Sequence, residues 1–472
     1  MKIKLCVLLL VFTASVWVLG FAREWTVTDG VPEPEPGSYE WKISTPEEQG
    51  LHSNVVSTAL KAAEKIPFLH SLLVVRNGYL IAEGYFHGYG KYDARNIHSA
   101  SKSVMAVLIG IALRENYLYS LEQKLMDFFP EYATPGMDPG KYDITIRHLL
   151  TMTCGLGAYE GDNGLMTLRA SNPIKAAIEQ PLIETPGEKW RYYNPAPHLL
   201  RGILKKATGM SSYEFARKYL FNPLQISVDY WGQDPQGYYT GAMYFTPGNM
   251  ARLGYFCITN GLVDGKQILP TGWMEESVTG YNTPTFTAGL NREAYGYLWW
   301  VGQLSDYDVY AAMGWGGQYI ICIPEINMVV VTTADPYVDL ILLTENEIAL
   351  IQFLEHYILA AARGVLGEPP YFPEDFEGQR VKNRSLFQSE YIDLLTWKPN
   401  PRNNGLDIIK YRIYRLLWGQ KELVAEVDHT LQAYEYHFRG VSGYQEYIYG
   451  ISAVTVDNKE SSMARVIIKS PQ

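Results

Sequence analysis

Apolar residues recur at helical spacing early in the chain, where Leu51, Val55, Val56, Ala59, Leu60 and Ala63 fall on one face. Two short apolar runs follow, 72–75 and 80–82, and between them stands Arg76-Asn77-Gly78-Tyr79. Asn-Gly between such runs predicts a tight β-hairpin. Helical spacing returns at 99–115, with Val104, Val107, Leu108 and Ile111 on one side and Ala106, Ile109 and Gly110 allowing close packing. Segments 144–152, 173–180, 196–207 and 211–221 also read as helices. Residues 222–295 are rich in Gly and Pro, with one helix predicted near 247–256. Strands are expected around Tyr295-Tyr297-Trp299, at 319–322 and at 328–332, before a last helix over 339–361. The order predicts an α+β domain over 49–362. Its antiparallel sheet is flanked by helices, drawn from both ends of the region, and carries an inserted, mostly helical subdomain.

Beyond this domain, Gly364, Gly367, Pro369, Pro370, Pro373 and Gly378 punctuate 362–384, and we expect a linker at 363–378. Six short β-rich runs then follow at 391–397, 408–416, 422–427, 432–437, 445–454 and 464–468. They predict an all-β sandwich over 379–472. At the other end, two lysines precede an apolar run from Leu5 to Gly20, and Gly20-Phe21-Ala22 offers a small-x-small cleavage site. Residues 1–22 therefore read as an export signal, with an extended leader over 23–48 and a periplasmic or extracellular mature protein. No later apolar stretch is long enough for a membrane span.

Of 472 residues, 47% are hydrophobic and 19% charged, which is ordinary globular usage. The formal charge of −10 argues against a nucleic-acid partner, which needs a basic face. Four cysteines are too few for a disulfide framework, and Cys154, Cys257 and Cys322 read as buried thiols. No His-x-x-x-His, Cys-x-x-Cys or dinucleotide glycine motif occurs, so neither metal nor cofactor is expected.

Three short motifs can carry chemistry. In Ile97-His98-Ser99-Ala100-Ser101-Lys102, a loop becomes a helix, and Ser99 and Lys102 share one of its faces. A lysine beneath a serine hydroxyl activates it as a nucleophile, although Ser99 also fits a plain helix cap and Lys102 a solvent-facing lysine. In Arg191-Tyr192-Tyr193-Asn194, Tyr192 and Asn194 point the same way if the stretch is extended. A tyrosine beside a cation can act as phenolate base or proton shuttle, and an Asn amide can hold a carbonyl or the lysine. With 36 tyrosines in the chain, such a triplet is also cheap. In Gly314-Trp315-Gly316-Gly317-Gln318, glycines before a strand mark either a ligand's close approach or a tight turn. That strand edge is a candidate second oxyanion donor beside the Ser99 N–H.

In these motifs and their order, the chain resembles the serine β-lactamase and penicillin-binding-protein superfamily. The likeness is to the class C branch, with its esterases, D-stereospecific peptidases and oligomer-amide hydrolases. That family has a Ser-x-x-Lys at a helix start, a Tyr-x-Asn further along and a glycine-containing strand near the end. Here the second motif lies 93 residues after the first and the third 122 beyond that. The likeness covers about 50–362 and extends to Ile144–Thr153 and Tyr219–Leu224. It implies a β-lactamase/transpeptidase-like fold and an acyl-enzyme on Ser99. Lys102 and Tyr192 would share the base and proton-shuttle work, and Asn194 would orient substrate or Lys102. Trp315, Gly316, Gly317 and Gln318 would line the substrate and oxyanion site.

Relatives that bind a substrate carboxylate carry Lys or His in the third motif, whereas Gly314 or Trp315 stands here. This favours a neutral ester or amide over a β-lactam or D-alanyl terminus, unless Arg191 or Arg292 supplies the missing cation. His98, His148 and His198 read as structural, and Asp234 as a turn residue. Tyr297, Trp299 and Trp300 read as core or cleft wall. The C-terminal unit resembles a fibronectin type III module through Leu395-Thr396-Trp397, Ile409–Tyr414 and Tyr447–Val454. It is the place for an envelope or protein partner. A catalytically silent scaffold is the competing reading of the whole chain.

Overall fold

The computed structural model describes residues 39–362, apart from 160–162, 286–287, 306 and 339, and most of 373–468. The expected signal at 1–22 and the first part of the leader lie outside the described residues. Eight strands form one sheet: β1 (Lys42–Ile43), β2 (Leu69–Arg76), β3 (Tyr79–Tyr85), β4 (Asn291–Tyr295), β5 (Trp300–Leu304), β6 (Tyr307–Gly314), β7 (Gln318–Ile323) and β8 (Met328–Ala334). Their spatial order is β1-β3-β2-β8-β7-β6-β5-β4. Every pairing is antiparallel except that of β1 with β3. The ends of the domain thus meet at the centre, where β2 pairs with β8.

β2, β7 and β8 are buried almost without a break and show no apolar–polar alternation. Helices on both faces of the sheet explain this. Helix α1 (Ser53–Ala63) and the C-terminal Leu354–Leu359 turns close over Leu72 and Val74. On the opposite face, α4 (Pro247–Ile258) lies on β7 and β8, and Cys322 Sγ is 3.6 Å from the Gly254 carbonyl of α4. Helix α2 (Ser101–Arg114) is buried on every side from Ser101 to Ala112 and packs on α3 (Pro195–Thr208). The helical segments Ile146–Leu150, Pro173–Glu179 and Ser212–Ala216 complete the inserted portion, and α5 (Leu340–Phe353) ends the sheet region.

The Asn77-Gly78 hairpin forms as expected, with both residues at positive φ. Three expectations need correcting. The leader reading fails at its end, because Lys42 and Ile43 pair with Tyr79 and Leu80 as an edge strand. The strand expected across Tyr295-Tyr297-Trp299 is two strands, since the chain reverses through Gly296 and a left-handed Leu298. The linker is also shorter than its composition suggests. β9 (Glu374–Arg384) already pairs with β10 (Ser389–Lys398), because a strand with paired backbone tolerates polar residues on its outer face.

The C-terminal region is a separate all-β unit. β9 and β10 share a sheet with β13 (Ala433–Phe438), while β11 (Ile408–Leu417), β12 (Gln420–Asp428), β14 (Tyr447–Thr455) and β15 (Ala464–Ile468) form the second. Leu395, Trp397, Tyr411, Ile413, Tyr449 and Ile451 make its core. Cys154, Cys257 and Cys322 are buried and unbridged. Among the described residues, no helix is long and apolar enough to cross a membrane.

Candidate active site

Ser99 sits in a single 3-10 turn, His98–Ala100, that runs directly into α2. Its position is clamped from two directions. The Ile97 N–H donates to the Met243 carbonyl at 2.8 Å, continuing a small sheet in which Arg95–Asn96 pairs with Tyr239–Phe245. On the other side, Gly314 at the end of β6 lies so close that a Cβ there would stand 2.1 Å from the Ile97 carbonyl oxygen. Only glycine fits this close approach. Between the clamps, His98 takes a left-handed φ of 48° and donates its N–H to Asn96 Oδ1. For a non-glycine residue that conformation costs about 1–3 kcal/mol, and the surrounding packing must hold it.

Lys102, one helical turn after Ser99, places Nζ 2.7 Å from Ser99 Oγ. Its side chain is buried, and burial, reinforced by the positive Arg201, lowers its pKa to about 7. The Tyr192 phenol hydrogen-bonds Ser99, and the Tyr192 ring lies 4.8 Å from Lys102 Nζ. Burial pushes Tyr192 up to about 12, so it is a neutral proton donor at pH 7 and not a phenolate. Trp300 stacks on Tyr192 at 6.2 Å, and Trp190 and Tyr295 flank it at 6.1 and 6.5 Å. His98 is driven down to about 4, by burial first and Lys102 second, and is neutral beside them.

Asn194 opens α3, and its amide donates to the Asn163 carbonyl at 3.1 Å; this contact faces the 163 loop. The third motif forms the β6–β7 hairpin. Gly316 and Gly317 both take left-handed φ, 79° and 91°, which explains the glycine pair as turn chemistry. Trp315 is 47% exposed and donates Nε1 to the Pro336 carbonyl. The Gln318 carboxamide is buried and tied to the Ala334 carbonyl at 2.7 Å, so it braces the hairpin. Glu347 of α5 accepts the Gly316 N–H at 3.0 Å, and burial raises this carboxyl to about 7.

The remaining expectations sort by burial. Tyr297, Trp299 and Trp300 are core, with Trp300 backing Tyr192. His148 faces the Thr145 N–H in a capping box. His198 is paired with Asp234 at 2.8 Å, while Asp234 also accepts two turn N–H groups. Arg191 is engaged with Glu184 at 2.9 Å, and Arg292 is exposed on β4. Sequence reasoning missed Trp190, Tyr295, Arg201 and Glu347. Only Arg201 left a signal, as a cation on the buried face of a helix.

Residues 70–336, more than half of the chain, match the family model described as Beta-lactamase. The chain belongs to the beta-lactamase family. Among curated proteins, this beta-lactamase-family chain is 26% identical over 300 residues to an uncharacterized protein of Alkalihalophilus pseudofirmus, covering 55% of this chain and 82% of that protein. It is 22% identical over 313 residues to the 6-aminohexanoate-dimer hydrolase of Paenarthrobacter ureafaciens, covering 60% and 76% respectively. Among solved structures it resembles the octameric penicillin-binding protein homologue from Pyrococcus abyssi. There the TM-score is 0.53 at 18% identity, covering 88% of this chain and 99% of that one. A hydrolase with promiscuous acyltransferase activity superposes with a TM-score of 0.52 at 15% identity, covering 68% and 100%. At these identities the structural likeness is one of fold. Family and fold together point to a hydrolase of the serine-hydrolase and beta-lactamase superfamily.

Proposed function

We propose that this chain is an exported serine hydrolase that cleaves a small ester or amide through an acyl-enzyme on Ser99. The observation that carries the reading is the buried Lys102 amine 2.7 Å from Ser99 Oγ, with no carboxylate paired to it among the described residues. A lysine near neutrality at that distance takes the Ser99 proton as Oγ attacks the substrate carbonyl. The tetrahedral oxyanion is met by the Ser99 N–H and a backbone N–H of the β6–β7 hairpin, at Gly317 or Gln318. The alcohol or amine then leaves with a proton passed from Lys102 through Tyr192. Water attacks the acyl-enzyme by the same route in reverse and releases the acid. In this reading Asn194 and Trp315 would contact the substrate and take no part in the proton relay.

A neutral substrate suits this site better than a β-lactam or D-alanyl carboxylate. Trp315 carries no charge, and Arg191 would have to leave Glu184 to bind an anion. The oligomer-amide hydrolase among the relatives fits a small amide as substrate. The C-terminal unit reads as a fibronectin type III-like module, since its sheets of three and four strands and its Trp397–Tyr411 core match that resemblance. Its proposed role is docking or spacing in the envelope.

Hydrolysis of a short-chain p-nitrophenyl ester by the purified protein, beside Ser99→Ala, tests the reading. Turnover is expected in the parent and is lost in the variant. Equal background rates, with no labelling of Ser99 by a fluorophosphonate, would favour the silent scaffold instead.

A further inference from the structure

α3 carries Asn194, His198 and Arg201 on one face, at spacings of four and three residues. His198 has its partner in Asp234. Arg201, one turn deeper, does not. It is 2% exposed, and its Nε and Nη2 are buried without a hydrogen-bond acceptor. Among the described residues no carboxylate pairs with it. A buried, unpaired guanidinium is costly, and proteins seldom keep one without use. Its helix packs on α2, which carries the buried Lys102, and the positive charge of Arg201 acts on that amine.

We propose that Arg201 is a positioning residue for acyl transfer: a buried, unpaired cation on the helix packed against that of Lys102, it makes the Lys102 amine the acceptor of the Ser99 proton. This rests on the reading of Ser99 and Lys102 given above. Two buried cations on packed helices repel, and the guanidinium holds its proton far more tightly than an amine does. The amine is therefore the group that gives way. Among the described residues, none of the other groups around Lys102 forms an ion pair with either cation. His98 is neutral beside Ser99, Tyr192 is a neutral phenol, and Tyr295 behind it is buried and protonated. The buried Asp234 carboxylate is the nearby anion, and its bonds go to the neutral His198 and to the Gln236 and Tyr238 N–H groups, not to Lys102 or Arg201. From the strand Tyr239–Phe245 come the neutral Tyr239 and Tyr244. From β6 come the buried neutral Tyr310 and Asp308, which is exposed and bonded to Gln303.

The test compares the parent with Arg201→Met and Arg201→Lys. Three readouts are taken: the pH profile of kcat/KM for the neutral ester, the melting temperature, and the pH dependence of Lys102 acetylation by trace acetic anhydride, followed by mass spectrometry. Arg201→Met should move the lower limb of the profile, and the Lys102 labelling curve with it, upward by a pH unit or more. At pH 7 that is a fall in kcat/KM of roughly five-fold or more, recovered at higher pH. Its melting temperature should hold or rise, because an unpaired buried charge is gone. Arg201→Lys, whose amine can itself give up its proton, should move the limb upward by less than Arg201→Met does. An unmoved labelling curve in a folded Arg201→Met protein would overturn the proposal. So would a loss of stability with an unmoved profile, which marks a purely structural arginine. If the parent neither turns over ester nor labels at Ser99, the hydrolase reading fails. The Lys102 labelling curves still decide whether Arg201 controls that amine.

Discussion

At Ser99 the decisive quantity is the protonation of its neighbours. Lys102 and Tyr192 are both buried, and burial moves them in opposite directions, because it disfavours whichever form is charged. In the proposed mechanism the lysine is then a usable base, while the tyrosine stays a neutral phenol that can pass a proton on. The proposed roles rest on this difference, which residue identities alone leave open, since a phenolate base at Tyr192 is equally legible in the sequence. The sign of the pH dependence follows. The folded pKa of Lys102 lies below its unfolded value, so the neutral base is present above about 7 and lost below it. For a neutral ester, kcat/KM should rise through pH about 7 to a plateau. Lys102→Gln should lower that plateau by about 10²–10⁴-fold, since general-base assistance is worth that much. A flat profile in steady-state assays between pH 5 and 9 would contradict the assignment.

At the scale of elements, the site is assembled by backbone approach. The 3-10 turn carrying Ser99 is pinned between the Tyr239–Phe245 strand and the end of β6. The β6–β7 hairpin is in turn held by Gln318 on Ala334 and by Glu347 on the Gly316 N–H. The folded pKa of Glu347 is raised above its unfolded value. Stability from this group is therefore complete below the unfolded pKa and is lost as pH rises through about 7. Glu347→Gln keeps a carbonyl acceptor for Gly316 without the charge. Its melting temperature should exceed the parent's at pH 8 and match it near pH 4. Thermal unfolding at the two pH values checks this, and an equal gain at both would refute the link to ionisation.

At the scale of the whole molecule, two units with separate cores share one chain. The C-terminal unit has its own buried ionic centre, where Arg380 meets Asp393 at 2.6 and 2.8 Å and Tyr449 donates to the same carboxylate at 3.0 Å. Arg380→Ala leaves Asp393 buried and half-satisfied, at a cost of about 3–5 kcal/mol. Calorimetry should show that loss in one transition, while ester turnover stays at the parent's rate; a fall in both would mean the units are coupled. Much of this organisation was legible beforehand. Local periodicity reports which face of a segment is buried, so the helices, the Asn77-Gly78 hairpin and the β-rich tail could be read from spacing. Ser99, Lys102 and Tyr192 were legible through short motifs in the order of the family the chain resembles, and the structure brings the three side chains together. Strand β9 and the edge strand β1 were not, since a paired backbone makes polar residues acceptable there. Nor was the dual nature of Gly314 and Gly316-Gly317, one a close approach and the others a turn. Arg201 lies 99 residues from Lys102 in sequence, and only the packing of α3 on α2 brings the second cation to the first. The sequence by itself determined which groups the proposed acyl transfer can draw on. Their protonation states were decided by the tertiary structure, because pKa values answer to burial and to neighbours distant along the chain.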